Sequence, residues 1–263
     1  MKIIILTKDK KITKKFCNLY LVCSNTKELP KDSLDLCVVM FSYPEIISRD
    51  LLSKYCFFNV HNSLLPKYRG LHAFAWAMIS GENQVGYTLH LVDKGIDTGP
   101  IISQLVIPIK KDEDINAVFK KANKVVFPWL KKELRKIEKF GVRETIDQDE
   151  SKSSYFKKRT PDDGKICWNK NAREIHNFCR ALTPPYTPGA FSFIDSKKVI
   201  IIKTNPSKMA LRKTVIPGGI IEINKYGLYV ACKDSVLLVK KVFYKGRCLS
   251  AEKLKIFANK CFT

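Results

Sequence analysis

The stretch "LDLCVVMFSYPEIISRDLLSKYCFFNVH" (residues 34–61) carries the strongest fold signal in the chain. Two apolar runs within it, Leu34–Phe41 and Cys56–His61, have the length and composition of fully buried strands. Between them, Pro44–Tyr55 has apolar residues at helical spacing, and Pro44 suits the first turn of a helix. Buried strands that alternate with helices are typical of a parallel sheet with helices on both faces.

The segments on either side continue this pattern. Ile3–Leu6 predicts a first buried strand. After residue 70 the hydrophobic spacing predicts a helix, two strands and a long amphipathic helix, in which Pro128 favours a kink. These four elements are Leu71–Glu82, Val85–Asp93, Ile101–Ile109 and Asp112–Lys139. We therefore predict an α/β, Rossmann-like domain with a mostly parallel sheet over residues 1–150.

The remaining residues have a different character. Residues 151–170 are polar and turn-prone, which predicts a linker. A short helix, Asn171–Leu182, is ended by "TPPYTPG", and only short strands separated by turn signals follow. The predicted strands are Ala190–Ile194, Val199–Lys203, Gly219–Ile223, Leu228–Cys232 and Val236–Val242. This arrangement predicts a small, mostly-β C-terminal domain, an OB-like barrel, over residues 171–263.

Composition narrows the class of protein. The 263 residues carry a formal net charge of +22, and 45% of them are hydrophobic. That charge favours either an anionic partner or lysines spread over solvated faces. The nine cysteines include no CxxC pair, so we expect reduced thiols in a cytoplasmic protein rather than a zinc site or disulfides. No segment has the apolar length of a membrane span, and the N-terminal apolar stretch is too short for a signal peptide.

Three polar residues are expected at the carboxyl edge of the predicted sheet, where α/β proteins bind ligands. Asn59 and His61 are two apart in one strand, so their side chains point to the same face. Asp97 comes from a later loop, between Gly95 and Gly99. An amide that donates to an oxyanion, an imidazole that exchanges protons and a carboxylate that orients it suit acyl-type transfer to an amine. On spacing alone, a packing or surface role for the histidine stays open.

The loop "SLLPKYRG" (residues 63–70) places two further charged residues near this edge. We expect Lys67 and Arg69 to present cations beside the pocket, and an ordinary surface turn is the alternative. His72 and His90 are interpreted as packing or surface residues. The sequence contains no GxSxG, P-loop or HExxH motif, so nothing in it indicates a serine nucleophile, an NTPase or a zinc protease.

The segment from Asn59 to Ile102 resembles the formyltransferase family that uses N10-formyltetrahydrofolate. The family pattern is Asn-x-His-x-Ser-Leu-Leu-Pro, followed by Tyr-x-Gly or Trp-x-Gly and then by Asp-x-Gly-x-Asp-x-Gly. It reads here as "NVHNSLLPKYRG" and "DKGIDTGP". The resemblance implies that Asn59, His61 and Asp97 are catalytic and that no metal is required. It also implies that the formyl donor lies against "SYPEII" and "LVDKGID". The residues expected to bind it are Ser42, Tyr43, Ile46, Ile47, Leu91, Val92, Asp93, Gly95 and Ile96.

Within that family, the linker favours enzymes that act on nucleotide-linked amino sugars. "SYFKKRTPDDGKICW" and "IHNFCRALTPPYTPGAFSF" are similar to segments of those enzymes, including the formylating half of the polymyxin-resistance enzyme. The resemblance implies a nucleoside-diphosphate-linked 4-amino or 3-amino deoxysugar, of the kind used for lipopolysaccharide O-antigens. Lys67, Arg69 and Arg159 are then candidates for binding its pyrophosphate. Tyr155 is a candidate for stacking on the base, and Trp168 is either a second such residue or part of the core.

Two alternatives stay open at this point. Methionyl-tRNA formyltransferases also have a small β domain, and the charge of +22 suits a tRNA partner. The other alternative is a catalytically idle nucleic-acid-binding module. It is suggested by the short segment that precedes Asn59, in which a strand–helix unit between Thr7 and Leu34 is expected to be short or missing. We favour a homodimer whose partners are folate and the amino sugar, rather than nucleic acid or a membrane.

Overall fold

The computed structural model describes residues 2–31, 35–211, 215–258 and 260–263. The chain forms two compact units. The first comprises Met1–Ala73, Gln84–Pro108 and Lys121–Lys158, and the second comprises Phe74–Asn83, Ile109–Lys120 and Arg159–Thr263. Within the described ranges, no helix is long and apolar enough to cross a membrane.

A six-stranded sheet forms the centre of the first unit. The strands up to residue 158 are β1 (Lys2–Leu6), β2 (Leu21–Cys23), β3 (Leu36–Phe41), β4 (Cys56–His61), β5 (Arg69–Gly70), β6 (Gln84–Leu91), β7 (Ile101–Pro108) and β8 (Tyr155–Phe156). The helices up to residue 158 are α1 (Lys10–Phe16), α2 (Arg49–Lys54), α3 (Ala73–Ile79) and α4 (Ile115–Phe140), of which α3 after Ala73 and α4 up to Lys120 belong to the second unit. The strand order is β2-β1-β3-β4-β6-β7. The first four strands in this order are parallel, and β6 and β7 are antiparallel to their neighbours. The predicted Rossmann-like, mostly parallel sheet is confirmed as a mixed sheet.

The central strands are buried because they are apolar on both faces. One face carries Ile4, Val38 and Phe57 in a hydrophobic core cluster. On the other face, the ring of Phe41 packs against Phe127 of α4, with 6.1 Å between the ring centroids. In β1, β3 and β4 the polar side chains lie towards the strand ends, and the carboxyl ends of parallel strands are where α/β proteins bind ligands.

The strand–helix unit near the N-terminus is short but present. Helix α1 has seven residues, and the Asp9 carboxylate caps it by accepting the N–H groups of Lys11 at 2.7 Å and Ile12 at 3.4 Å. Strand β2 has three residues. The strand–helix unit after Thr7 is therefore short, as expected, because α1 and β2 each have few residues. Leu34, the first residue of the second predicted strand, lies outside the described residues.

Helix α2 begins later than the sequence predicts. Ser48 is its N-cap, and the Ser48 hydroxyl accepts the N–H of Leu51 at 3.4 Å. The prediction of a helix from Pro44 was wrong, because the serine cap fixes the first turn at Arg49 and leaves residues 44–47 as a loop. The helices and strands predicted between residues 71 and 139 are confirmed with shifted ends.

The second unit carries an antiparallel sheet. Its elements after residue 170 are α5 (Ala172–Ala181), β9 (Ala190–Ile194), β10 (Lys197–Ser207), β11 (Ile220–Asn224), β12 (Gly227–Ala231), β13 (Val236–Tyr244) and β14 (Arg247–Ser250). The sheet order is β11-β12-β13-β10-β9, and β14 pairs with β13. Helix α5 starts with a capping box in which Asn171 and Glu174 cap each other's backbone N–H groups. The prediction of a small, mostly-β C-terminal region is confirmed as an antiparallel sheet.

The predicted linker contains ordered structure. Strand β8, inside residues 151–170, pairs in parallel with β5, and both strands belong to the first unit. The division into residues 1–150, 151–170 and 171–263 stays a prediction.

Candidate active site

The carboxyl ends of β3 and β4 lie side by side at one edge of the main sheet. Their register places Phe41 opposite Val60, so Ser42 follows at the level of His61. Asn59 and His61 share one face of β4, as their spacing predicts. The loop between β6 and β7 brings Asp97 to the same place, where its carboxylate contacts both side chains. The structure therefore brings together the three residues that the sequence singled out.

The Asp97 carboxylate is the centre of this cluster. Its Oδ1 accepts a hydrogen bond from Asn59 Nδ2 at 3.1 Å, and its Oδ2 accepts the N–H of Gly70 at 2.9 Å. His61 Nδ1 lies 3.4 Å from Oδ2, and His90 Nε2 lies 3.6 Å from Oδ1. Burial raises the pKa of Asp97, but its contacts with His90 and His61 and the hydrogen bond from the Gly70 N–H outweigh it, so the pKa is lowered. The carboxylate is therefore ionised at neutral pH.

His61 is held between two acceptors. Its Nε2 lies 3.0 Å from the carbonyl oxygen of Tyr68, and its Nδ1 faces Asp97. The shorter contact is the one to the Tyr68 carbonyl, which only accepts, so the proton of the neutral ring is assigned to Nε2. Burial lowers the pKa of His61, against the opposing effects of Asp97 and the Tyr68 carbonyl. The resting imidazole is thus neutral, with the Nδ1 lone pair available for a proton that Asp97 would then stabilise.

Asn59 has both amide protons engaged. One points to Asp97, and the other points to His90 Nε2 at 3.3 Å. His90 Nδ1 lies 2.7 Å from the carbonyl oxygen of Leu91 and donates to it, which leaves Nε2 as an acceptor for the Asn59 amide. An incoming oxygen would have to replace one of these two acceptors to receive a hydrogen bond from Asn59.

Sequence reasoning missed the part that His90 plays in this cluster. It was interpreted as a packing or surface residue, and it is indeed buried, at 2% exposure. However, β6 runs antiparallel to β4 and places His90 directly opposite Asn59. Recognising Val85–Asp93 as the antiparallel neighbour of β4 would have found this contact.

The backbone around the cluster adopts left-handed conformations. Ser42 has φ 53°, Tyr68 has φ 61° and Asp97 has φ 56°, although non-glycine residues rarely adopt such values. Gly70 has φ 92°, and a Cβ there would lie 2.4 Å from the Phe156 carbonyl oxygen. Strained residues of this kind concentrate at functional sites.

The residues expected to bind folate lie in two loops. Ile46 is 87% exposed and Ile96 is 57% exposed, so both offer apolar surface to a flat ring. The Asp93 carboxylate accepts the N–H of Gly95 at 3.0 Å, which tightens the second loop. Ile47 does not fit the expectation, because its side chain is buried in the core cluster. The expected residues are otherwise on the surface or half-buried: Ser42, Tyr43, Ile46, Leu91, Val92, Asp93, Gly95 and Ile96.

The residues expected to bind the nucleotide sugar are in different environments. Lys67 is exposed, and the Tyr155 ring is 56% exposed. Arg69 is fully buried, and its guanidinium donates to Gln148, Glu150 and Tyr155. The expectation that Arg69 presents its charge to a pyrophosphate is therefore wrong for this structure.

Two aromatic and cationic residues of the second unit were also considered for substrate binding. The guanidinium of Arg159 lies 4.6 Å from the ring centroid of Trp76, and its Nη2 donates to the Asp163 carbonyl oxygen. Its proposed role in binding stays a prediction. Trp168 is 5% exposed and donates from Nε1 to Ser192 Oγ at 2.9 Å, so it belongs to the core. Nowhere among the described residues do three or more His, Cys, Asp or Glu side chains form a group that could hold a metal ion.

The fold and the cluster at the sheet edge define a known class of protein. Residues 23–131 match the family described as "Formyl transferase", and residues 158–256 match "Formyl transferase, C-terminal domain". The chain belongs to the formyltransferase family.

Individual relatives span two activities. The chain is 41% identical over 241 residues to the bifunctional polymyxin resistance protein ArnA of Wigglesworthia glossinidia brevipalpis, covering 84% of this chain and 36% of that protein. It is 37% identical over 190 residues to the methionyl-tRNA formyltransferase of Malacoplasma penetrans, covering 72% of this chain and 58% of that protein. The chain thus spans less than two thirds of the length of these curated relatives.

Solved structures share the fold. The N-formyltransferase from Helicobacter canadensis, solved with folinic acid and dTDP-3-aminofucose, matches with a TM-score of 0.71 at 21% identity. The match covers 91% of this chain and 98% of that one. At this identity the similarity concerns the fold.

Proposed function

We propose that the protein transfers a formyl group from N10-formyltetrahydrofolate to the amine of a nucleoside-diphosphate-linked amino deoxysugar. Examples are dTDP-4-amino-4,6-dideoxyglucose and its 3-amino isomer. The observation that carries the proposal is the contact of the Asp97 carboxylate with Asn59 at 3.1 Å and with His61 at 3.4 Å. An amide, a neutral imidazole and a carboxylate at one sheet edge are the groups that acyl transfer to an amine requires.

His61 and Asp97 handle the proton in this proposal. An attacking amine must lose a proton as it bonds to a carbonyl carbon. The Nδ1 lone pair of His61 accepts that proton, directly or through water. The resulting imidazolium donates to Asp97 from Nδ1 and to the Tyr68 carbonyl from Nε2, so both of its protons meet acceptors already in place. As the bond between the formyl carbon and N10 of the donor breaks, His61 would give the accepted proton to the departing nitrogen and return to its neutral form.

Asn59 stabilises the negative charge that develops on the carbonyl oxygen. Its amide N–H groups point to Asp97 and His90 before the reaction. An imidazole nitrogen is a weaker acceptor than a carboxylate oxygen, so we expect the N–H that faces His90 to turn to the carbonyl oxygen as charge develops.

The two exposed isoleucines support folate as the formyl donor. When bound, the donor supplies the formyl carbonyl group. Ile46 and Ile96 offer apolar contact to the faces of its ring. We propose that Ser42, Tyr43, Leu91, Val92, Asp93 and Gly95 complete this site, with their backbone groups facing the ring edge.

The amino-sugar substrate is supported by the linker motif and by the relatives. The 41% identity to the polymyxin resistance protein extends over 84% of this chain, and the Helicobacter canadensis enzyme was solved with a dTDP-linked amino sugar. Lys67, exposed in the loop after β4, is the cation of the first unit that we propose for the pyrophosphate.

Methionyl-tRNA formylation is the second candidate. The 37% identity to a methionyl-tRNA formyltransferase and the net charge of +22 favour it. Phosphate contacts to tRNA would make binding strongly salt-dependent.

A side-by-side substrate assay tests the proposal. Release of tetrahydrofolate is measured with dTDP- and UDP-linked 3-amino and 4-amino sugars, and with methionyl-tRNA at 50 and 200 mM salt. We expect turnover with at least one nucleotide sugar and none with the tRNA. Transfer to methionyl-tRNA alone would replace our proposal with the second candidate.

A homodimer is the assembly that we propose. Strand β11 lies at one edge of the second unit's sheet, with the half-buried Ile221 and Ile223 on it. Edge strands offer unpaired backbone groups to a second copy. Light scattering coupled to size exclusion checks this, and a mass of one chain at 50 μM protein would contradict it.

A further inference from the structure

We infer that Arg69 and Gln148 form a clamp that positions the catalytic carboxylate of Asp97. This inference rests on the proposed function, because it concerns how that site is held in shape. The Arg69–Gln148 clamp consists of these two side chains and of Glu150 and Tyr155, which bind the guanidinium. None of its members was assigned to catalysis by sequence motifs.

All the donors of Arg69 are used inside the protein. Nε donates to Gln148 Oε1 at 3.2 Å. Nη2 donates to Gln148 Oε1 at 2.8 Å and to Glu150 Oε1 at 2.6 Å. Nη1 donates to Glu150 Oε2 at 2.9 Å and to the Tyr155 hydroxyl at 2.6 Å. A guanidinium has five N–H groups, so none is left for a ligand and the side chain serves the protein itself.

Gln148 connects this guanidinium to the Asp97 loop. Its Oε1 accepts from Arg69, and its Nε2 donates to the carbonyl oxygens of Asp97 at 2.9 Å and Gly99 at 2.7 Å. Both donors and both lone pairs of the amide are therefore engaged. The two carbonyls flank the turn at which Asp97 takes its left-handed conformation, with φ 56°.

The same strand also holds the Asp97 side chain. Gly70, the residue after Arg69, donates its N–H to Asp97 Oδ2 at 2.9 Å. Strand β5 is fixed in turn by pairing with β8, where Arg69 lies opposite Tyr155. Strand β5 therefore holds Asp97 in two ways. Arg69 binds Gln148, which donates to the backbone carbonyl of Asp97, and the N–H of Gly70 donates to the Asp97 carboxylate.

The consequence is precise placement of the carboxylate against His61. A shift of about 1 Å in a catalytic group can cost about a hundredfold in rate. Burial, the largest influence, lowers the pKa of His61, Asp97 and the Tyr68 carbonyl raise it, and His90 lowers it. A carboxylate of Asp97 that is held less firmly would raise the pKa of His61 less. The pKa of His61 should therefore fall in a variant that loosens the clamp.

Gln148→Met tests the clamp, because methionine has similar length but neither donates nor accepts strongly. We expect kcat to fall between about tenfold and a hundredfold, with KM values for both substrates within about twofold. The acidic limb of the kcat profile should move to lower pH. Gln104→Met is the matched control, since the Gln104 amide donates to the Leu65 carbonyl and the Thr88 hydroxyl and not to Asp97. We expect the control to keep kcat and the position of the limb.

A second readout does not depend on turnover. The chain has four histidines, and NMR titration follows the imidazole of His61 in wild type and both variants, with His61→Gln for assignment. We expect a lower His61 pKa in Gln148→Met only. An unchanged titration and an unchanged kcat in that variant would overturn the clamp. A wild-type protein without formyl transfer would refute the proposed function instead, and the titration would still decide the clamp.

Discussion

The substitution Arg69→Lys tests whether the Arg69 guanidinium stabilises the folded protein or binds a ligand. Lysine keeps the positive charge but has three N–H donors where arginine has five. At least two of the five hydrogen bonds of Arg69 are therefore lost in the variant. At about 1 kcal/mol each, the expected loss in free energy of unfolding is about 2 kcal/mol. The ion pair adds little to this, because Glu150 is 64% exposed.

The assay is urea unfolding followed by fluorescence, combined with steady-state kinetics. With an m-value of about 2 kcal/mol/M, the midpoint should fall by about 1 M for the transition that includes the first unit. Tyr155→Phe is the graded control, since it removes one acceptor of Arg69 and should cost about half as much. The KM for the nucleotide sugar should stay within about twofold in both variants. An unchanged midpoint together with a tenfold rise in KM would show that Arg69 binds the substrate, and would refute this reasoning.

Three further outcomes are expected. The pKa of His61 is lowered, so the neutral base persists below pH 6.5 and the acidic limb of kcat/KM should lie below that value; a limb above pH 7 would contradict this. A hydrogen bond with Cys37, opposite it in the neighbouring strand, lowers the pKa of Cys56 to about 7. Cys56 is also exposed, so mass spectrometry after brief iodoacetamide treatment at pH 7.5 should find it labelled first, and Cys37→Ala, which removes the hydrogen-bond donor, should slow this labelling. Asn171→Ala removes the N-cap of α5 and should cost about 1 kcal/mol in thermal unfolding of the second unit; no shift would argue against that cap.

Local patterns predicted most of the fold because they are set by near neighbours. The apolar runs at Ile3–Leu6 and Cys56–His61 are strands of the main sheet. All five predicted C-terminal strands are present, Ala190–Ile194 with the predicted bounds and the other four with shifted ends. The start of α2 was placed too early, because Pro44 and Ser48 both suit a helix start and only the folded loop decides between them. Ile47 shows the consequence, since it packs in the core instead of facing a ligand.

The site was predicted only in part, because its remaining contacts join distant residues. Asn59 and His61 share a strand face, which spacing reveals. His90 meets Asn59 only because β6 is antiparallel to β4, and nothing in the local pattern of Val85–Asp93 gives that direction. The burial of Arg69 depends on acceptors about 80 positions away in the sequence, such as Glu150, which no local motif indicates.

The most direct test of the central claim is single-turnover formyl transfer by wild type, Asn59→Ala, His61→Ala and Asp97→Ala. The donor is N10-formyltetrahydrofolate and the acceptor is the amino-sugar nucleotide on which wild type is most active. Glu138→Ala is the control, because this exposed carboxylate on α4 accepts a hydrogen bond from the Tyr20 hydroxyl and belongs neither to the catalytic cluster nor to the clamp. We predict that wild type and the control transfer the formyl group, and that each of the other variants is slowed by at least about a hundredfold. Wild-type rates in all three variants would contradict the account.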